Sequence, residues 1–260
     1  MDIKEIRKHL GLTQKEFAEK YKIPLPTLRH WEQGVSAPPV YFTSLLESVI
    51  VPKDDTTKYI TKEQYLYNIC RMENIRVKRE EMKDIADRIV TESVKAEDIP
   101  KISNILRAFA YSVNLSAFKG NETVCEINRL IEYGRDDGME GQIRNTPVKI
   151  TGCNYKPPLP ERRYFSRKIK QLSQKADKTD SSIELLLYLM KSQIFADGNK
   201  RTAQLSSLSM LKDTEYVVSI PFAKQKIFAE HLIRYYEDEN YKSTIKSFII
   251  ENALMKREDF

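Results

Sequence analysis

The residues best equipped for chemistry lie in one short run, IFADGNKRTAQL, residues 194–205. An apolar helix is expected to end at Phe195, a Gly198-Asn199 turn follows, and a second helix opens with Lys200 and Arg201. Free backbone N–H groups at a helix start, with two cations beside them, make an anion site suited to a polyphosphate. Asp197 adjoins that site, where a carboxylate could hold Mg²⁺ together with phosphate oxygens. The same residues also describe an ordinary corner between helices, with Asp197 as a cap and Lys200 and Arg201 in water.

The elements that must position this corner are mostly helices. Apolar residues at helical spacing predict helices at about 61–72, 78–94, 98–113 and 122–133. Others follow at about 161–175, 181–194, 199–212, 222–237 and 240–254. Thr61 with Gln64 supplies a cap for the first of them. Between these two groups GQIRNTPVKITGCNYKPPLP shows short β-prone runs broken by Gly and Asn, and reads as a hairpin ended by prolines. The charged, proline-punctuated stretch VPKDDTTKYITKEQ marks a boundary, which divides the chain into residues 1–50, a linker and helical spacer at 51–100, and a domain at 101–260.

The first fifty residues carry their own plan. Thr13, followed three residues later by Glu16, is a capping box that starts a helix at Gln14. A tight turn at Lys22-Ile23-Pro24 leads to a second helix, which Gly34 stops. Leu28 and Trp31 share its inner face. The runs LTQKEFAEKY, IPLPTLRHWEQG and an apolar closing helix YFTSLLESVI together resemble the phage-repressor-type (XRE-like) helix-turn-helix. That resemblance implies binding to a DNA operator, with Leu25, Pro26, Thr27, Arg29 and His30 facing bases and Gln14 and Gln33 holding phosphates. A working repressor of this kind implies a homodimer on paired half-sites.

Composition narrows the classes further. The longest apolar run, within IELLLYLM, is far short of the ~20 residues a membrane span needs, so no membrane association is expected. MDIKEIRKHL lacks the apolar core of a signal peptide, and three widely spaced cysteines fit a reducing cytoplasm. The net charge of +6 is unevenly spread. Residues 1–50 hold seven bases and six acids, whereas Lys156 to Lys178 holds eight bases against Glu161 and Asp177 alone. This second stretch is either a solvated helix face or a surface for nucleic acid or an acidic partner.

QIFADGNKRTA resembles the signature of the Fic/Doc (Fido) family, in which a helix–loop–helix reads H-x-F-x-D-G/A-N-G/K-R. SAFKGNETVCEINRLIE, GQIRNTPVKITGCNYKPPLP and the segment from YVVSIPF onward match the family's earlier helix, flap hairpin and closing helices in the expected order. The resemblance implies a mainly α fold, an all-helical domain with a small β-hairpin flap, and transfer of AMP or a phosphoryl group from a nucleotide to a target-protein hydroxyl. Carried onto this chain, Asp197 would bind Mg²⁺, Gly198, Asn199 and Lys200 would cradle the phosphates of ATP, and Arg201 would pair with them. Phe195 would anchor the loop. The flap, with Ile150, Thr151 and Gly152, would hold a protein target as an added strand.

The chain departs from the family pattern at three positions. Gln193 stands where the family has its histidine, the general base, and an amide cannot take that proton; loss of the base lowers rates on the order of 10²–10⁴. Gln204 stands where the Fic branch has a second arginine, and Lys119 where many members have an inhibitory glutamate. Three functions follow as expectations. The first is a DNA-binding regulator that keeps a nucleotide pocket with little or no transferase activity. The second is an active, toxin-like AMP- or phosphotransferase that controls its own transcription; the third is an interaction protein with neither ligand.

Overall fold

The computed structural model describes residues 3–39, 42, 46, 59–87, 89, 91, 93–258 and 260. Three helices come first: α1 (Ile3–His9), α2 (Gln14–Lys20) and α3 (Leu25–Glu32). They close over Ile3, Ile6, Phe17, Ala18 and Leu28, with Trp31 packed on Phe42 at the edge. The capping box of α2 is complete, since Glu16 N–H donates to Thr13 Oγ1 at 3.2 Å and Thr13 N–H to Glu16 Oε2 at 2.7 Å. Pro26 falls in the first turn of α3, where a missing N–H breaks no intrahelical bond. Apart from Phe42 and Leu46, the closing helix expected at YFTSLLESVI lies outside the described residues, as does the linker to residue 58.

The rest of the chain runs β1 (Tyr59–Thr61), α4 (Lys62–Met72), α5 (Met82–Ala86), α6 (Ile99–Asn114), α7 (Asn121–Ile131) and α8 (Arg162–Ser173). It continues with α9 (Lys178–Ser192), α10 (Asn199–Met210), β2 (Tyr216–Val218), α11 (Gln225–Glu237), α12 (Lys242–Asn252) and β3 (Leu254–Glu258). α10 is the axis, with every residue from Arg201 to Met210 buried. Its serines, Ser206, Ser207 and Ser209, are small enough to let neighbouring helices close in. An apolar cluster including Phe165, Ile169, Leu186, Phe228 and Ile249 joins α8, α9, α11 and α12. A second cluster, including Tyr65, Ile69, Ile105, Phe109 and Ile127, joins α4, α6 and α7. Thus residues 60–75 belong to the same packed body as α10, to which Tyr65 donates a hydrogen bond at the Gln204 carbonyl (3.1 Å).

Three expectations need correction. The helix predicted over 78–94 is a single 3₁₀ turn at Arg79–Glu81 followed by the short α5. Beyond it Thr91 and Ser93 hydroxyls turn back onto the Glu81 carboxylate, the kind of local bond by which Ser and Thr compete with a helix. The chain over 141–160 forms no strand pair, and is irregular backbone with a turn at Thr151–Cys153. Prolines 157, 158 and 160 have no N–H to give, and the Arg144 side chain takes the carbonyls of Thr146 and Pro158 that a ladder would use. Finally, the helix predicted over 240–254 stops at Asn252, and the chain ends in a sheet of order β1-β3-β2. β3 pairs parallel with β1 and antiparallel with β2, so Lys256 lies between Tyr59 and Tyr216 and ties the end of this unit to its beginning. No helix among the described residues is long and apolar enough to cross a membrane.

Candidate anion site and DNA-facing helix

The corner between α9 and α10 is built by side chains that bond to backbone. Phe195 is buried in the core and fixes the loop from below. Asn199 closes it: Phe195 N–H donates to Asn199 Oδ1 (3.0 Å) and Asn199 Nδ2 donates to the Phe195 carbonyl (2.8 Å). Asn199 therefore organises the loop with both ends of its amide. Gly198 sits at φ +72, and a Cβ there would meet Glu132 Oε1 at 2.6 Å and Ile131 Cγ2 at 3.1 Å, so any side chain is strained in this conformation and must displace the Glu132 carboxylate. The Gly198 N–H donates to Asp197 Oδ1 at 2.6 Å, and the Asp197 side chain is 66% exposed.

Neither cation stands free in water. Arg201, whose side chain is only 8% exposed, lies 3.0 Å from Glu132 Oε1, 3.3 Å from Glu73 Oε2 and 3.7 Å from Asp197 Oδ1. Lys200 is more open, at 44%, and lies 3.5 Å from Glu73. Burial pushes the Glu132 carboxyl above the usual carboxylate range, Asp197 adds to the rise and Arg201 opposes it. Both glutamates directly follow a helix, Glu73 after α4 and Glu132 after α7. An acid at a helix C-terminus is disfavoured by the dipole, and that misplacement was the one sequence signal that could have found them.

Two further residues escaped the sequence reading. Asn128 on α7 donates to the Asp197 carbonyl and to Thr202 Oγ1, both at 3.0 Å, and accepts from Gly141 N–H at 3.0 Å. One amide so joins the loop, α10 and the start of the irregular 141–160 segment. Arg144, 2% exposed, has no carboxylate partner among the described residues; it donates to the carbonyls of Gln193 (2.5 Å), Thr146 (2.8 Å) and Pro158 (2.6 Å). Burial lowers its pKa. It fastens the 141–160 segment to the residue at the end of α9. Within that segment Ile150 is half-buried, while Thr151 and Gly152 are exposed.

Gln193 caps α9 in a left-handed conformation (φ 46, ψ 57), and its Nε2 donates to the Met190 carbonyl at 2.6 Å. Gln204 is buried and donates to Met72 Sδ at 3.3 Å, whereas Lys119 is exposed. His231 is committed to Tyr241 and Phe248 through a 2.8 Å hydrogen bond and ring contacts. No group of three or more potential metal-ligating side chains is present among the described residues.

On α3, Pro26, Arg29 and His30 are exposed and Thr27 is half-buried, and Gln33, which caps its end, is exposed too. Leu25 packs partly onto the module's own core, and Gln14 donates to Glu32 Oε2 at 2.8 Å. Glu32 also receives Arg7, at 2.5 and 2.9 Å, so this carboxylate ties α1, α2 and α3 together.

No curated protein matches this chain. Among solved structures it is similar in fold to Fic-1 from C. elegans, with a TM-score of 0.52 at 18% identity over 73% of this chain. That match covers 62% of the solved Fic-1 chain, under two thirds of its length. A Fic domain containing signaling protein from Bacteroides thetaiotaomicron gives a TM-score of 0.57 at 15% identity, covering 66% of this chain and 70% of that one. A Fic family protein from Desulfovibrio desulfuricans gives 0.58 at 15%, covering 81% and 69%. Residues 3–42 match the helix-turn-helix family model and residues 118–211 that of the Fic/DOC family, so the chain joins a helix-turn-helix to a Fic/DOC domain.

Proposed function

We propose that this chain is a DNA-binding regulator whose Fic-type domain keeps a phosphate-binding corner and carries out little or no transfer chemistry. One observation carries the second half of the reading. The side chain at the end of α9 is a carboxamide turned back to cap its own helix, Gln193 Nε2 to the Met190 carbonyl, and it has no basic atom to offer an attacking hydroxyl. The exposed Arg29 and His30 on α3, with Gln33 at its end, support operator binding, in a dimer on paired half-sites.

A magnesium-bound nucleotide such as ATP suits the corner in kind. Lys200 and the N-terminus of α10 would meet phosphate oxygens, and the exposed Asp197 carboxylate would share the metal with them. Glu73 and Glu132 already hold Arg201, so a phosphate reaching that guanidinium must compete with them. The intact run Asp197 to Arg201 supports a second reading, an active AMP- or phosphotransferase acting on a target held along residues 148–155.

Incubation with α- and γ-labelled ATP and host-lysate proteins separates the two. Wild type is expected to label nothing, and Gln193→His to label protein if the base alone is lacking. Labelling by wild type would overturn the regulator reading, and the retained label would distinguish AMP from phosphoryl transfer.

A further inference from the structure

The helix-turn-helix is poorly equipped to hold a polyanion. With seven bases and six acids over residues 1–50 it has almost no net charge, and part of its positive charge is already matched. Arg7 is locked onto Glu32, and Lys15 lies 4.0 Å from Glu19. Since affinity for DNA comes largely from cations that displace condensed counterions, such a module binds weakly by itself.

The missing charge lies on α8. Its inner face, Phe165, Ile169 and Leu172, is buried, and its outer face exposes Arg162, Arg163, Arg167 and Lys170. None of these four has a carboxylate partner among the described residues, unlike Lys175 just beyond, which is paired with Asp180 and Glu184. Tyr164, 52% exposed, stands among them with the Arg167 guanidinium 5.8 Å from its ring centre. Arg163, Arg167 and Lys170 are spaced i, i+4, i+7 and line one side of the helix over about 10 Å. Each strand of duplex DNA carries one negative charge per about 3.4 Å of axis, so a single groove edge presents phosphates to all three over that length.

We propose that the outer face of α8 is a second DNA-backbone surface, which grips duplex next to the segment read by α3. It rests on the DNA-binding reading given above. The face recognises no sequence; it supplies the phosphate contacts that the helix-turn-helix lacks.

The test is fluorescence anisotropy of the full chain over a salt series, with a mixed-sequence duplex and a duplex from upstream of its own gene. At about 0.9 per phosphate contact, Arg163→Ala/Arg167→Ala/Lys170→Ala is expected to flatten the plot of log K against log salt by about 3 on both duplexes. Arg29→Ala/His30→Ala is expected to lose the preference for the upstream duplex and keep the wild-type slope. Arg167→Glu alone, with a circular-dichroism melt on each variant, guards against loss of fold. An unchanged slope in the triple variant overturns the α8 surface and leaves the α3 reading standing. An unchanged preference in the α3 variant overturns that reading alone, and no duplex binding at low salt overturns both. Poly-glutamate bound by wild type and lost in the triple variant, with the DNA slope unchanged, assigns the face to an acidic protein and overturns the proposal.

Discussion

Two groups of cations in this molecule are equally visible in the sequence and are in opposite physical states. Lys200 and Arg201, in the loop that carries the family signature, face Glu73, Glu132 and Asp197, and Arg201 is nearly out of water. Arg163, Arg167 and Lys170 on α8, in a stretch with no signature at all, are exposed and have no carboxylate partner among the described residues. A residue's charge is fixed by its type, but its capacity to attract an anion depends on what already neutralises it. The corner therefore holds its positive charge in reserve, and α8 displays it.

Removal of Arg201 should produce the largest difference between the two regions. Arg201→Ala would leave the buried Glu132 with Arg135 alone and the half-buried Glu73 with Lys200 alone, and breaking a buried ion pair from one side costs about 3–5 kcal/mol. Arg163→Ala is expected to stay within about 0.5 kcal/mol. Urea unfolding of the two variants measures this directly, and equal losses would show that the corner's charges are not held as described. For the same reason Lys200→Ala is the cleaner probe of ligand binding, because Lys200 is half in solvent.

A smaller effect is expected from loosening the reserve without emptying it. Glu132→Gln removes one of the carboxylates competing for Arg201, and tripolyphosphate affinity should rise by about tenfold, near 1.4 kcal/mol. The same variant has a pH signature. The Glu132 carboxyl, raised by burial, keeps its proton longer folded than unfolded. Stability should therefore fall as pH climbs from the ordinary glutamate range through the raised value, and Glu132→Gln should flatten that slope. Unchanged affinity together with an unchanged pH profile would remove Glu132 from the site.

What was legible beforehand follows the range of the interactions involved. The caps at Thr13 and Thr61 were readable because both partners of each bond lie within three residues. The anion corner was readable for the same reason, since Phe195, Gly198 and Asn199 build it from adjacent positions. Glu73, Asn128 and Arg144 were not, because each acts across dozens of residues and nothing in its own neighbourhood announces the partner. The sheet escaped for a related reason. β1 and β2 are three residues long and meet only through β3, near the far end of the chain. The flap was misread as a hairpin because its β-prone letters were visible, whereas the arginine that claims its carbonyls was not recognised as structural.

The smallest expected effect bears on α8. Arg163 and Arg167 are like charges one turn apart, a pairing that destabilises a helix by about 0.2–0.5 kcal/mol. Removing one of them should therefore stabilise the protein slightly at low salt. Arg167→Gln is expected to unfold a few tenths of a kcal/mol later than wild type in dilute buffer, with the gain vanishing near 1 M salt, where the Debye length is about 3 Å. Arg163→Ala and Arg201→Ala would then differ in sign as well as in size. A loss of stability in Arg167→Gln would mean that its stacking on Tyr164 outweighs the repulsion, and that the face is held together for the fold. A gain that salt erases would mean that the fold tolerates this row of charge at its own expense, as expected of a surface whose counter-charge arrives with a partner.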